Sequence, residues 1–214
     1  IERPNGAAWP SPDRRGRHNA RERLHSAGAV PILPADHAGQ ERTGLKTLFF
    51  ATVAAGLEPL LADELETLGA EEIRAQNAGV AFTGDLACGY RVCLWSRLAS
   101  RVLLRLARFH APDADALRAG IERIAWEDHL APNGTFLVAS TGPSSAIRST
   151  HFGALSVKVG LVDRFRARTG GRPSVRAERP DVRLAVHLFR EQATVYLDLA
   201  GASLPRRADR LEPG

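Results

Sequence analysis

Side chains capable of bond-making chemistry occur in this sequence, but not at the spacings such chemistry needs. The seven histidines, at positions 18, 25, 37, 110, 129, 151 and 187, show no HExxH helix pattern and no cysteine at ligand distance, so no metal site is legible. Cys88 and Cys93 lie five apart in an apolar stretch; that spacing suits neither a zinc knuckle nor a disulfide framework, and both read as reduced core thiols. Glu127 and Asp128, beside Trp126, read as a solvated helix end and not as a general acid/base pair. Gly142-Pro143-Ser144-Ser145 is too short to cradle a nucleotide and reads as a turn. Expected catalytic, cofactor-binding and metal residues in this chain are therefore none.

Positive charge is what remains. The formal net charge is +5, with 44% hydrophobic and 25% charged residues, the composition of a globular protein with an anionic partner, nucleic acid first. There are 8 basic against 5 acidic residues in 1–46, 6 against 7 in 47–112 and 15 against 12 in 113–214. Arg148 sits in SSAIRS ahead of a long helix, where a guanidinium and free helix N–H groups can reach phosphate together; the plainer reading is an exposed loop arginine. Arg164, Arg168, Arg172 and Arg176 follow at the end of that helix and beyond, where cations also offset the helix dipole. On a helical wheel Lys158 lies roughly 40° from Ala154, inside the apolar arc, so it is expected to snorkel or to find a polar partner. Arg97 and Arg101 open a basic run with Arg105 and Arg108 that suits salt bridges between domains as well as it suits RNA. With aromatics at only 6% and several phenylalanines in apolar runs, base stacking is not expected; recognition of folded RNA by shape and phosphate is.

The elements that must position these residues follow from periodicity. Residues 1–44 alternate prolines and glycines with scattered arginines, Arg14, Arg15 and Arg17 among them, and read as a disordered extension. Thr47 to Val53 reads as a buried strand, the leucines from Leu57 to Leu68 recur at helical spacing, and Gly69 stops that helix. Ile73 to Gln76 and Val80 to Thr83 flank an Asn77-Ala78-Gly79 turn, Asp85 caps a helix running to about Ala99, and a strand follows near Arg101 to Phe109. Strand, helix, strand, strand, helix, strand is the ferredoxin-like order.

A second unit opens at Pro112-Asp113 with a helix through Ile124, then the strand Thr135 to Ser140, a helix from about His151 to Arg168 ended by Gly170-Gly171, and two alternating strands. Those last two strands are predicted to form a hairpin around Arg190-Glu191, with Leu184 facing Leu197, Val186 facing Val195, and Arg183 paired with Asp198. No stretch reaches the ~18 apolar residues of a membrane span, and the start is polar, so a cytoplasmic location is expected.

At this point a family resemblance is visible. FFATVAAGLEPLLADELETLGA, GVAFTGDLACGYRVCLWSRLASRVLL, SSAIRSTHFGALSVKVGLVDRF and RPDVRLAVHLFREQATVYLDLAG resemble, in that order, the amino-terminal half of bacterial 23S ribosomal RNA guanine-N2 methyltransferases of the RlmL (RlmKL) type. The resemblance implies an α+β fold with a ferredoxin-like domain at 45–112 and a THUMP RNA-binding domain at 113–200. Residues 201–214 would lead toward a missing methyltransferase domain, altered here because Pro205-Arg206-Arg207 stands where the family continues with a His and an Arg-Gly-Tyr-Arg stretch. A chain with no methionine that stops there is expected to be a fragment or truncated product.

The implied function is a substrate-recruiting module, a monomer whose partners are 23S ribosomal RNA and that catalytic domain. S-adenosylmethionine would serve the parent enzyme and no cofactor this chain, since the Gly-rich turn and the Asn/Asp-Pro-Pro-aromatic loop are missing. The alternatives are a module docking on an rRNA-modifying enzyme without touching RNA, and a stand-alone enzyme. RNA contacts are expected from Arg148, Lys158, Arg164, Arg168, Arg172, Arg176, Arg97 and Arg101.

Overall fold

The computed structural model describes residues 46–142, 147, 149–201 and 204; the extension at 1–44, Arg148 and nearly all of 201–214 lie outside them. The elements are β1 (Thr47–Thr52), α1 (Glu58–Thr67), β2 (Glu71–Gln76), β3 (Gly79–Gly84), α2 (Leu86–Trp95), β4 (Arg101–His110), α3 (Ala114–Glu122), β5 (Thr135–Thr141), α4 (Thr150–Thr169), β6 (Ser174–Val175), β7 (Val182–Phe189) and β8 (Gln192–Asp198), with a 3₁₀ turn at Trp126–Asp128. Local chemistry sets the boundaries. Asp85 accepts from the Cys88 N–H at 2.7 Å to cap α2, and Asp113 accepts from the Ala116 N–H at 2.8 Å to cap α3. Gly170, at φ +70°, takes the left-handed position that closes α4.

The first six elements form the ferredoxin-like arrangement, with antiparallel strand order β2-β3-β1-β4. The sheet does not end there. β4 pairs antiparallel with β8, and the order runs on through β8-β7-β5-β6 to give one eight-stranded sheet across both halves. Phe82, Phe49, Leu104, Leu197, Leu184 and Val138 stand opposite one another from strand to strand, so they share a face. All four helices pack on that side: a side chain at Gly89 of α2 would strike Phe49, one at Gly120 of α3 Phe109, and one at Gly153 of α4 Ser140 and Leu188, while α1 buries Leu61 and Leu65 in the core that holds Phe49 and Phe82. Trp126, Phe49, Phe82, Phe136 and Phe165 fill the layer between. Cys88 and Cys93 are both buried in α2.

The sheet's two edges differ from its middle. β2 is one edge; its register shifts between Glu71 and Arg74, and Glu72 there has φ +48°. β6, two residues long, is the other.

Three sequence expectations need correction. The second helix stops at Trp95, because Ser96 turns extended and the N–H groups of Arg97 and Leu98 go to Glu64 instead of continuing the helix. The hairpin register is as expected at Leu184–Leu197 and Val186–Val195, but Asp198 pairs with Arg101 of β4 and not with Arg183, because β8 lies between β4 and β7 and offers its carboxylate to either neighbour. Lys158 is exposed, outside the buried face of α4, since that face is built on Gly153, Ser156, Val157, Gly160 and Leu161, whose small residues let the helix approach its neighbours. No described helix is long and apolar enough to cross a membrane.

Candidate nucleic-acid interface

The expected contact residues separate by what already holds them. Arg164 is committed: Nε and Nη2 reach both oxygens of Glu127 at 2.8 and 2.6 Å, Nη1 donates to the Glu122 carbonyl at 2.8 Å, and the side chain is 12% exposed. This fork holds the Glu127 carboxyl below the usual glutamate range. Arg101 is also engaged, by Asp198, whose side chain is 4% exposed. Arg97 stands 3.8 Å from Glu64 with its side chain 92% exposed, a weak surface pair that leaves the guanidinium open to solvent.

Lys158, Arg168, Arg172 and Arg176 remain. All four are exposed, and among the described residues none has an ion pair within 4 Å. Lys158 and Arg172 line one groove of about 510 Å³ between α4 and β6, together with Val162, Asp163, Arg166 and Val175. Arg166 is 3.7 Å from Asp163. Arg176 lies near Asp181, whose carboxyl is held low first by the Thr135 N–H and hydroxyl and only then by that guanidinium. The groove thus sets Lys158, Arg166 and Arg172 over apolar stems, a geometry that fits a phosphate backbone, while Arg168 lies on the Glu127 side of α4, near enough to help lower that carboxyl. Arg148 lies outside the described residues.

A second surface takes in Arg105 and Arg108 of the basic run, together with aromatic rings that were not anticipated. The sheet face turned away from the helices carries, strand by strand, Arg74, Ala81, Phe50, Leu103 and Asp198 in one row, Arg105, Tyr196, Ala185 and Ala139 in the next, and Arg108, Thr194, His187 and Thr141 in a third. The rings of Phe50 and Tyr196 lie 6.4 Å apart at 44°, over a groove of about 400 Å³ that also takes in Arg105, Arg108 and His187. His187 stacks on Phe189 at 6.5 Å, and the Arg190 guanidinium sits 5.3 Å over that ring. Strand alternation was the available signal: in TLFFATV it sends Phe49 to the core and Phe50 to the opposite face.

Among the described residues no group of three or more His, Cys, Asp and Glu is placed to hold a metal. Gly142, after β5, has φ +78°, and a side chain there would run into the Leu188 carbonyl, so this glycine serves strand packing; Pro143, Ser144 and Ser145 lie outside the described residues.

A ferredoxin-like unit sharing its sheet with a second α+β unit defines the class, a ferredoxin-like domain joined to a THUMP domain. The chain belongs to the RlmL type of that class: residues 48–103 match the RlmL ferredoxin-like domain and residues 111–198 the THUMP domain. It is similar to the ribosomal RNA large subunit methyltransferase K/L of Syntrophotalea carbinolica, 52% identical over 164 residues that cover 77% of this chain and 23% of that protein. The chain thus spans under a quarter of the length of such relatives. Among solved structures, it resembles one described as a predicted N6-adenine-specific DNA methylase from Listeria monocytogenes (TM-score 0.67, 30% identity, 79% of this chain and 44% of that one). It also resembles TrmN from Thermus thermophilus (TM-score 0.60, 25% identity, 75% and 48%).

Proposed function

We propose that this chain is the RNA-binding, substrate-recruiting module of an S-adenosylmethionine-dependent 23S ribosomal RNA guanine-N2 methyltransferase whose catalytic domain lies elsewhere in the parent protein. The observation that carries the reading is a set of four exposed cations on a THUMP domain, Lys158, Arg168, Arg172 and Arg176, without an ion pair among the described residues, of which Lys158 and Arg172 share the groove between α4 and β6. The ferredoxin-like half supplies the rigid other part of the sheet, and Arg148, ahead of α4 in the sequence, is a further contact candidate. Methyl transfer needs a donor site, and that site falls to the other part of the parent enzyme. The chain works as a monomer, its partners being 23S RNA and the methyltransferase domain.

The test is a salt titration of binding between the full chain and a hairpin from large-subunit ribosomal RNA. Each lost phosphate contact lowers the slope of log K against log salt by about 1, so replacing Lys158, Arg168, Arg172 and Arg176 with glutamine should lower it by about 3–4. Replacing Arg14, Arg15 and Arg17 should change it far less. Equal losses from the two sets would move the RNA grip to the amino-terminal extension. Calorimetry with S-adenosylmethionine should give no heat of binding; micromolar binding would overturn the division of labour.

A further inference from the structure

The sheet face opposite the helices has the chemistry of a site for unpaired nucleotides. Across the described residues its central strands are covered by no element, since all four helices lie on the other side. Its charge is one-sided. Arg74, Arg105 and Arg108 have no ion pair among the described residues, Glu72 is the one carboxylate lining the groove, and Asp198 is taken by Arg101. Arg105 and Arg108 are both near enough to the Tyr196 hydroxyl to favour its ionised form, although burial outweighs them and raises its pKa. The groove therefore offers guanidinium groups beside two aromatic rings. Ala185 and Ala139 continue the Tyr196 row toward β5 with nothing larger than a methyl group, leaving a low floor beside the rings. A protein partner would have to answer three cations with carboxylates. A single-stranded nucleic acid answers them with phosphates and meets the rings with base faces.

We infer that the Phe50–Tyr196 groove binds a short unpaired stretch of RNA, stacking one or two bases on the rings while Arg105 and Arg108 hold the adjoining phosphates. This rests on the RNA-binding reading and adds a second RNA-contact surface, on the face of the molecule opposite α4. The module would then grip a structured element with the α4–β6 groove and an adjoining single strand with the sheet.

The experiment uses the full chain with two probes, a uridine dodecamer carrying one 4-thiouridine and the ribosomal hairpin. The Phe50→Leu/Tyr196→Leu variant, which keeps apolar bulk, should lose about 10- to 100-fold in dodecamer affinity and bind the hairpin as before. The Lys158, Arg168, Arg172 and Arg176 variant should do the reverse. Photocrosslinking of the unaltered chain needs no substitution and reads the site directly: crosslinks on β1, β4 or β8 support the inference. Crosslinks confined to α4 and β6, or wild-type dodecamer affinity in a folded Phe50→Leu/Tyr196→Leu variant, overturn it while leaving the RNA-binding reading intact, and would recast the face as a protein-docking surface. Failure of both probes to bind overturns both readings.

Discussion

Arginines that look alike in sequence do different jobs here, and Arg164 shows how. Its fork on Glu127 and its bond to the Glu122 carbonyl tie α4 to the 3₁₀ turn and the end of α3. Truncation to alanine removes charge-assisted hydrogen bonds around a largely covered group, so Arg164→Ala should destabilise the fold by about 2 kcal/mol without changing the salt slope of RNA binding. Chemical denaturation beside the RNA titration checks both halves of that statement. Because Glu127 has its pKa lowered in the folded state, chiefly by Arg164, its contribution is fully present above the ordinary glutamate value of 4.5 and is lost as pH falls through the depressed one. The stability difference between the native chain and Glu127→Gln should therefore shrink on acidification below that value; a difference constant from pH 7 to pH 3 would show the carboxylate to be irrelevant. Composition made the cationic surplus legible. Which cations were spent on Glu127 and Asp198 was not, because pairing depends on contacts 37 and 97 residues apart in the chain.

At the scale of elements, α4 was legible as a helix but not in its orientation. A wheel drawn on large apolar residues turned Lys158 inward, whereas the helix buries Gly153, Ser156 and Gly160 and leaves Phe152 and Leu155 about half exposed. Small residues are invisible to a hydrophobic pattern, yet they set how closely helices approach. A side chain at Gly160 would stand 2.8 Å from the Arg118 carbonyl oxygen and 3.2 Å from Ile121 Cβ, backbone and core atoms that yield little. Gly160→Ala gains up to about 1 kcal/mol of helix propensity but must force α3 and α4 apart, and overpacking of this kind costs about 1–3 kcal/mol. A net loss of about 1 kcal/mol is expected in urea denaturation, and a stabilised variant would show that the helices separate freely. Seven of the eight strands were readable from alternation and turn residues; β6 was not, because two residues have no period to read.

For the whole molecule, the joint between β4 and β8 decides the behaviour. Sequence order alone suggested two consecutive domains meeting at residue 112, since alternation reports that a strand exists but not its partner. With one sheet running through both halves, thermal unfolding should follow a single transition by every probe, and fragments 45–112 and 113–200 should each be poorly folded alone. Removing Asp198, the buried carboxylate in that joint, should lower hydrogen-exchange protection in β1 as well as in β7; loss confined to one half would mean that the halves unfold separately. A sheet this wide also carries a hazard at its margins, where open N–H and C=O groups invite other chains to add strands. Here the kink at Glu71–Arg74, with Glu72 in a left-handed conformation, and the two-residue length of β6 blunt both margins, with charge on one side and brevity on the other. Straightening the first by Glu71→Thr/Glu72→Val should leave the fold standing and make the chain, on concentration, scatter more light and bind more amyloid dye than the unaltered one.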